Sequence, residues 1–296
     1  MHTILITGAG GYIGSVLCPI MLERGYHVTA VDVNLKALVP CSYSSAFKPV
    51  VCDVLNEDIM PSLIKNCGGV IHLAAVVGAK AVDNHYPSAR KLMIEGTQRL
   101  LRWADGKPFI YPNTDAGYPS GSYAHENTPM GGHTHYSELK IEGEKMVLAA
   151  GGVSLRLGSV FGSAPVMRHA TLLNWLVQRA VLDGKLVLSQ PGARRTLLHV
   201  KDAAGAIAHA VANFDAMRGK AFNVALPAVR KLALCELIKM QLPQFSWVVD
   251  DAAYADPDER DFNVDCTRLL LAGFKPQINV GYGIAELIRA YTVLGG

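Results

Sequence analysis

The stretch TGAGGYIG, from Thr7 to Gly14, limits the possible folds of this 296-residue chain more than any other. It follows the β-branched run TILIT and opens the helical pattern YIGSVLCPIMLERG, so Gly8, Gly11 and Gly14 lie at a strand-to-helix turn. Glycines there allow a tight turn and let the backbone approach a pyrophosphate, whose charge is met by free N–H groups at the helix N-terminus. The stretch therefore predicts a dinucleotide-binding turn, with the spacing GxxGxxG rather than the commoner GxGxxG.

The acidic residue Asp32 closes the second strand pattern, HVTAVD, at about the distance from the glycines that an adenosine ribose requires. A carboxylate accepts hydrogen bonds from the ribose hydroxyls of NAD and repels the 2′-phosphate of NADP. The following residues, VNLK, include no arginine that would offset this repulsion, and we interpret Lys36 as a solvated charge. The sequence thus predicts NAD as the cofactor.

Short β-branched runs alternate with longer helical patterns along the first half of the chain. The strand-like runs are TILIT, HVTAVD, PVVCD, GVIHLAA, PFIYPN and VSLRLG. Their nearly continuous apolar character is typical of strands buried on both faces, so we predict an α/β fold with a doubly wound parallel sheet, the Rossmann arrangement. The pattern becomes irregular near Gly162. We expect an NAD-binding Rossmann domain over residues 1–162 and a smaller, mainly substrate-binding region over 163–296, interleaved with the last Rossmann elements.

Composition excludes several other classes of protein. Hydrophobic residues make up 50% of the chain and charged residues 18%, which is typical of a globular protein. The net charge of +3 is scattered, and no apolar run approaches the length of a membrane span, so we expect no nucleic-acid or membrane partner. The chain starts directly with a strand pattern, and its six cysteines show no CxxC spacing. These features predict a cytoplasmic protein with reduced thiols and no metal site.

The segment HYSELKIEGEK places Tyr136 and Lys140 four residues apart, on one face of a predicted helix. Taken alone, a tyrosine over a lysine stem is ordinary surface packing. The pair gains meaning only from its context, because a short motif is a hypothesis until the surrounding elements support it.

Together these motifs resemble the extended short-chain dehydrogenase/reductase family. The resemblance is carried by TGAGGYIG, HLAA at residues 72–75, LRLGSVFG and RTLLHVKDAA, and by Asp53, Thr114, Tyr136 and Lys140. It runs over essentially the whole chain, and it is closest to the NAD-dependent nucleotide-sugar epimerases and dehydratases. The expected substrate is therefore a nucleotide-diphosphate sugar.

The resemblance implies that Tyr136 acts as the base that removes a proton from a sugar hydroxyl while the carbon below passes hydride to NAD. A free tyrosine titrates near ~10, so a base at neutrality needs a shift of about three units, roughly 4 kcal/mol of stabilisation of the phenolate. The Lys140 ammonium and the positive nicotinamide can supply it. The resemblance also assigns Lys140 a bond to the nicotinamide ribose, and Thr114 a bond to the same sugar oxygen. By position alone, the Thr114 hydroxyl could equally cap local backbone.

Family positions give the remaining candidate residues. Those expected at the cofactor are Gly8, Gly11, Tyr12, Ile13, Gly14, Asp32, Asp53, Val54, Leu73, Ala74, Ala75 and Lys140. Those expected at the substrate are Thr114, Asp115, Arg168, Arg195 and Arg260. Arginine suits a diphosphate because its planar fork forms paired, charge-assisted hydrogen bonds of about 1.5–3 kcal/mol each. Each of these arginines could instead form a solvated surface ion pair.

Two departures from the family pattern bear on the reaction. Met93 stands where many members carry Asn, so a polar contact near the cofactor is missing. The 4,6-dehydratases have the pattern Thr-Asp-Glu at the positions of residues 114–116, and Ala116 stands at the position of its Glu.

We therefore expect NAD-dependent oxidation at C4 by a 4-epimerase. The first alternative is a C4 dehydrogenase or reductase, and the next is a 4,6-dehydratase. An alternative from a different class is a non-catalytic NAD-binding sensor or scaffold.

By resemblance we also expect a homodimer paired through the helices around residues 88–104 and 135–150.

Overall fold

A seven-stranded, wholly parallel sheet forms the centre of the computed structural model, which describes residues 3–251 and 260–295. The strands of this sheet are β1 (Thr3–Thr7), β2 (His27–Asp32), β3 (Phe47–Val51), β4 (Gly69–His72), β5 (Phe109–Thr114), β7 (Val153–Leu157) and β11 (Ala221–Val224). Their order is β11-β7-β5-β4-β1-β2-β3. The predicted doubly wound parallel sheet is confirmed, and its winding reverses between β1 and β4.

Helices cover both faces of this sheet, and others lie outside it. They are α1 (Gly14–Glu23), α2 (Met60–Lys65), α3 (Ala79–Asn84), α4 (Tyr86–Arg90), α5 (Gly96–Ala104), α6 (His135–Ala149), α7 (Leu172–Leu182), α8 (Val200–Ala212), α9 (Phe214–Met217), α10 (Lys231–Gln241), α11 (Thr267–Leu271) and α12 (Val280–Gly295). A 3-10 helix spans Lys36–Tyr43, and a π-helical turn spans Lys91–Glu95 between α4 and α5. Helices α1 and α8 pack in the core on one face of the sheet, and α2, α5 and α6 pack on the other.

A second core lies outside the central sheet. It is built by α7, α10 and α12, whose apolar residues include Leu176, Leu234 and Leu287. Shorter sheets accompany it, formed by β6 (Tyr123–Ala124), β8 (Ser159–Phe161), β9 (Lys185–Leu188), β10 (Arg194–His199), β12 (Leu226–Arg230), β13 (Ser246–Val249) and β14 (Asn263–Val264). Between these elements the chain returns to the central sheet, because β11 pairs with β7.

Parallel pairing brings the carboxyl ends of the central strands to one edge. Thr7 at the end of β1 is in register with His72 at the end of β4, and Thr114 at the end of β5 is in register with Leu157 of β7. Asp32 ends β2 at the same edge. Most of the predicted site residues follow these strand ends, so the topology gathers them along one crevice.

Within residues 3–251 and 260–295, no helix has both the length and the apolar character needed to cross a membrane. The same ranges contain no cluster of three or more His, Cys, Asp or Glu side chains placed to hold a metal ion. All six cysteines are free thiols, and five of them are buried.

Candidate active site

The glycine turn after β1 leaves no room for side chains. Gly8 has a φ of +67°, and a Cβ there would lie 2.6 Å from the backbone nitrogen of Ala74. A Cβ at Gly14 would lie 2.5 Å from the Gly8 carbonyl oxygen. The Gly11 N–H donates to that same oxygen at 3.1 Å and closes the turn. Any larger residue at Gly8 or Gly14 would push the turn away from β4 or from its own helix.

Gly10, which the sequence analysis did not single out, links the turn to Asp32. A Cβ at Gly10 would overlap the carbonyl oxygen of Asn34. Instead, the Gly10 N–H donates to Asp32 Oδ2 at 3.0 Å, while Asp32 Oδ1 accepts from the Asn34 N–H at 3.0 Å. Two backbone donors therefore hold the Asp32 carboxylate beside the glycine turn. These glycines and this carboxylate fit the pyrophosphate and adenosine ribose of NAD.

The other predicted cofactor residues extend along the same edge. Leu73, Ala74 and Ala75 follow β4 as a half-buried segment, and Leu73 N–H donates to Thr7 O at 3.0 Å. Asp53 is exposed after β3 and caps the Leu55 N–H at 2.9 Å, while Val54 beside it is buried.

Two residues of the turn itself face other parts of the molecule. Ile13 packs against the core beneath α1. The Tyr12 hydroxyl donates to Gly162 O at 2.7 Å and accepts from Asn174 Nδ2 at 3.3 Å. Tyr12 thus ties the turn to the region after Gly162, a link that the glycine spacing alone does not reveal.

His72 is buried at the end of β4, and the sequence did not indicate its hydrogen-bond partners. Its Nδ1 lies 2.8 Å from Thr7 Oγ1, and its Nε2 lies 3.2 Å from Thr97 Oγ1. Burial, together with the nearby charge of Lys140, lowers the pKa of His72 to about 3. The ring is therefore neutral and bridges β1 to α5. Met93, in the π-helical turn, is buried with its carbonyl accepting from the Thr97 hydroxyl at 2.6 Å.

The helix that carries Tyr136 and Lys140 begins with a complete capping box. Thr134 accepts from the Ser137 N–H at 3.2 Å, and Ser137 Oγ accepts from the Thr134 N–H at 3.1 Å, which fixes where α6 starts. Tyr136 is half-buried and packs against an apolar cluster that includes Met93.

Lys140 is buried, so simple surface packing does not describe it. The residue is only 4% exposed. Its Nζ donates to Pro112 O at 2.7 Å and lies 3.8 Å from the centre of the Tyr111 ring. Burial lowers the pKa of Lys140 to about 7, against the opposing charge of Glu144. A lysine with a pKa near neutrality, held against β5, is typical of a functional site.

Thr114 ends β5 two residues after Pro112 and is also buried. Its hydroxyl accepts from the Ala116 N–H at 3.1 Å, so the local capping that its position allows does occur. A threonine hydroxyl can accept two hydrogen bonds and donate one. The Thr114 hydroxyl can therefore still accept one bond from a ligand and donate one to it.

Three of the predicted substrate residues form one cluster next to Thr114. Asp115 is fully buried, accepts from the Thr196 hydroxyl, and has Oδ1 3.6 Å from Nη1 of Arg260. Nη1 of Arg195 donates to the backbone carbonyl of Arg260. The structure therefore joins the end of β5, β10 and the backbone around Arg260.

Arg168 lies apart from that cluster. Its guanidinium donates to Val77 O at 3.0 Å, in the loop that follows β4. This contact ties Arg168 to the segment that follows Leu73–Ala75, which is expected at the cofactor.

Comparison with known proteins gives a family match over three quarters of the chain. The model described as "NAD dependent epimerase/dehydratase family" matches residues 4–225. A curated protein described as an uncharacterized UDP-glucose epimerase, from Bacillus subtilis (strain 168), is 30% identical over 161 residues, which is 48% of this chain and 50% of that protein. A 3 beta-hydroxysteroid dehydrogenase/Delta 5-->4-isomerase from Mycobacterium tuberculosis is 25% identical over 162 residues, 51% of this chain and 43% of that protein. The chain spans about half the length of these curated relatives.

A solved structure extends the similarity of fold to nearly the full length. The UDP-glucuronic acid 4-epimerase from Bacillus cereus, in complex with UDP-glucuronic acid and NAD, superposes with a TM-score of 0.87 at 20% identity, covering 99% of each chain. At this identity the superposition establishes a common fold and leaves the reaction to be argued from the site.

Proposed function

This chain belongs to the NAD dependent epimerase/dehydratase family, and from that premise we propose that it oxidises C4 of a nucleotide-diphosphate sugar and then returns the hydride, as a 4-epimerase. Membership supports an NAD-dependent enzyme. The nucleotide sugar, the C4 position and the epimerisation are the content of the proposal.

The observation that carries the proposal is the burial of the Lys140 amino group on the same face of α6 as Tyr136. Its bond to Pro112 O anchors it two residues before Thr114. A sensor or scaffold needs the glycine turn and Asp32, but it has no use for a buried cation beside a tyrosine. Since burying a charge is costly, we infer that this lysine is retained for chemistry.

The proposal assigns a role to the side-chain group of each of these three residues. The Tyr136 hydroxyl, as phenolate, accepts the proton of the C4 hydroxyl, and the Lys140 ammonium stabilises that phenolate. The Thr114 hydroxyl hydrogen-bonds the same sugar oxygen and orients it. Bound beside the glycine turn and Asp32, NAD would supply reversible hydride transfer at C4. Epimerisation requires that the sugar turn its other face to the cofactor between the two transfers.

The arginines near Asp115 supply the proposed grip on the substrate. Arg195 and Arg260 lie together beside Thr114, where they support binding of a diphosphate-linked sugar. Arg168, across the loop after β4, is a third candidate for the diphosphate.

The first expected result concerns the cofactor. NAD should bind at least about tenfold more tightly than NADP, a gap of about 1.4 kcal/mol, because the fixed Asp32 carboxylate meets a hydroxyl in one and a phosphate in the other. Calorimetric titration of both cofactors measures the ratio. Asp32→Asn should narrow this ratio of affinities, and Asp215→Asn, at an exposed position on α9, provides a matched control. Equal affinities in the unmodified protein would contradict this role for Asp32.

A second expected result separates epimerisation from dehydration. Removal of water across C5 and C6 needs one group to take the C5 proton and another to protonate the leaving hydroxyl. Asp115 is engaged by Thr196 and Arg260, and the buried Ala116 has no titratable group, so elimination lacks an acid-base contribution of about 10²–10⁴. In D2O we expect product with no deuterium at C5. A 6-deoxy-4-keto product carrying deuterium at C5 would show that another residue supplies the base.

The deciding experiment is incubation of the purified protein and NAD with UDP-, dTDP- and GDP-linked sugars, followed by NMR of the products. A C4 epimer without accumulation of NADH supports the proposal. A 4-keto sugar with stoichiometric NADH would favour the C4 dehydrogenase. Tight NAD binding with no change in any sugar would favour the sensor.

A further inference from the structure

The buried carboxylate of Glu144 lies on α6 four residues after Lys140 and eight after Tyr136, so the three side chains share one face of the helix. Glu144 is only 4% exposed. Its carboxylate accepts hydrogen bonds from Asn113 Nδ2 at 2.7 Å, from Ser154 Oγ at 2.5 Å and from Arg156 Nη2 at 2.6 Å. These donors come from β5 and β7, the two strands beneath the helix.

This set of donors keeps Glu144 ionised. Burial by itself raises the pKa of a carboxyl group, but Arg156, Ser154 and Asn113 outweigh it and hold the pKa of Glu144 below its ordinary value. Arg156 is bound in turn, since Nη1 donates to the Tyr118 hydroxyl at 2.6 Å. The negative charge therefore has a fixed place and a fixed orientation inside the protein.

The immediate partners of the Lys140 ammonium carry no charge of their own. They are a backbone carbonyl and the ring of Tyr111, which stays a neutral phenol because burial raises its pKa. His72, at the end of β4, is neutral as well. Glu144 is thus the carboxylate whose charge acts on Lys140 from the same helix.

Apart from the buried Glu144–Arg156 pair, the ion pairs that α6 forms with other described residues lie at its surface. Glu142 pairs with Arg90 of α4 at 3.3 Å, with both side chains nearly half exposed. His135 pairs with Asp83 of α3 at 2.8 Å, again with both side chains about half exposed. Water and salt screen such pairs far more than a buried charge. Their influence on Lys140 is correspondingly weak.

We propose that Glu144 is a positioning residue that acts through Lys140: its fixed carboxylate keeps the neighbouring ammonium protonated, and its bonds to Asn113 and Ser154 fix the register of α6 over β5 and β7. The consequence for turnover rests on the proposed function above. The electrostatic effect on Lys140 does not, and it is measurable without substrate.

The test follows the protonation of Lys140 directly in the full-length protein. The protein is labelled with [ε-¹³C]lysine, and the Lys140 signal is assigned by its loss in Lys140→Met. In Glu144→Gln the titration midpoint of this signal should fall by about one pH unit or more, a tenfold loss of proton affinity. Glu142→Gln, two residues away on the exposed side of α6, should leave the midpoint unchanged. An unchanged midpoint in Glu144→Gln would overturn the proposal.

A second variant serves as a test if Glu144→Gln alone does not fold. Glu144→Gln combined with Arg156→Met removes both members of the buried pair, which proteins tolerate better than removal of one. Loss of the Arg156 cation partly offsets loss of the Glu144 anion, so the Lys140 midpoint should fall by less than in Glu144→Gln. A midpoint above that of the unmodified protein would overturn the proposal.

Activity provides a separate readout. The lysine supports the phenolate only while it is protonated, so its contribution is lost as the pH rises through its pKa. In Glu144→Gln the alkaline limb of kcat/KM should therefore move to lower pH. If no nucleotide sugar is turned over but the Lys140 midpoint falls, the proposed function fails and this inference stands. If sugars are turned over and the midpoint does not move, the reverse holds.

Discussion

Tyr136→Phe should lower turnover of the nucleotide sugar by a factor of about 10² or more while NAD remains bound. The substitution removes only the phenol oxygen that, in the proposed mechanism, takes the substrate proton as phenolate. The ring stays on α6, where it packs against the apolar cluster around Met93, so the fold should be unaffected. Steady-state kinetics, NAD titration and thermal unfolding of the same preparation measure the three quantities.

The matched control for this substitution is Tyr43→Phe, because Tyr43 is 93% exposed and lies outside the site. It should retain full activity. Near-normal turnover in Tyr136→Phe would mean that another group acts as the base, and it would revive the sensor or scaffold interpretation if NAD binding were the only activity left.

Arg156→Met should lower the free energy of unfolding by about 3–5 kcal/mol, because it leaves the buried Glu144 carboxylate without its cation. Arg156 Nη2 lies 2.6 Å from Glu144 Oε1, and both side chains are less than a tenth exposed. Nη1 also donates to Glu126 O at 3.0 Å, so the loss extends to the backbone before α6. Urea unfolding followed by circular dichroism measures the change.

Arg179→Met is the comparison for this prediction. Arg179 pairs with Asp183 at 2.8 Å within one helical turn, but its side chain is 36% exposed. Such a pair contributes at most about 0.5 kcal/mol. If the two methionine variants lost equal stability, the Glu144–Arg156 pair would be no more than a surface ion pair in energetic terms.

The sequence predicted those parts of the molecule that depend on local pattern. The parallel sheet follows from apolar runs, and the tight turn after β1 follows from glycines at a strand end, because both signals lie within a few consecutive residues. The strand β11 was missed, since AFNV comes after the alternation has become irregular at Gly162. Its place in the sheet depends on pairing with β7, which no local pattern encodes.

The sequence indicated which residues to expect at the site, but it did not indicate the environment of their side chains. Nothing in HYSELKIEGEK shows that Lys140 is buried, because burial comes from β5 passing beneath the helix. Likewise, Arg156 in VSLRLG reads as one polar residue in a buried strand, and its pairing with Glu144 appears only when α6 is placed over β7. Gly10 and His72 were inside quoted motifs, yet their partners Asn34 and Thr97 come from other elements.

The return of the chain to the central sheet at β11 has a consequence for how the protein is made. Ala221 pairs with Ser154, and α8, which covers the core beside α1, is synthesised only after the region that follows Gly162. A nascent chain that has emerged as far as β7 therefore exposes an unpaired strand edge and an uncovered apolar face. Both features favour aggregation. The core around the central sheet is therefore completed only after the later segments are made, and we expect fragments that stop before Val224 to require a chaperone to remain in solution.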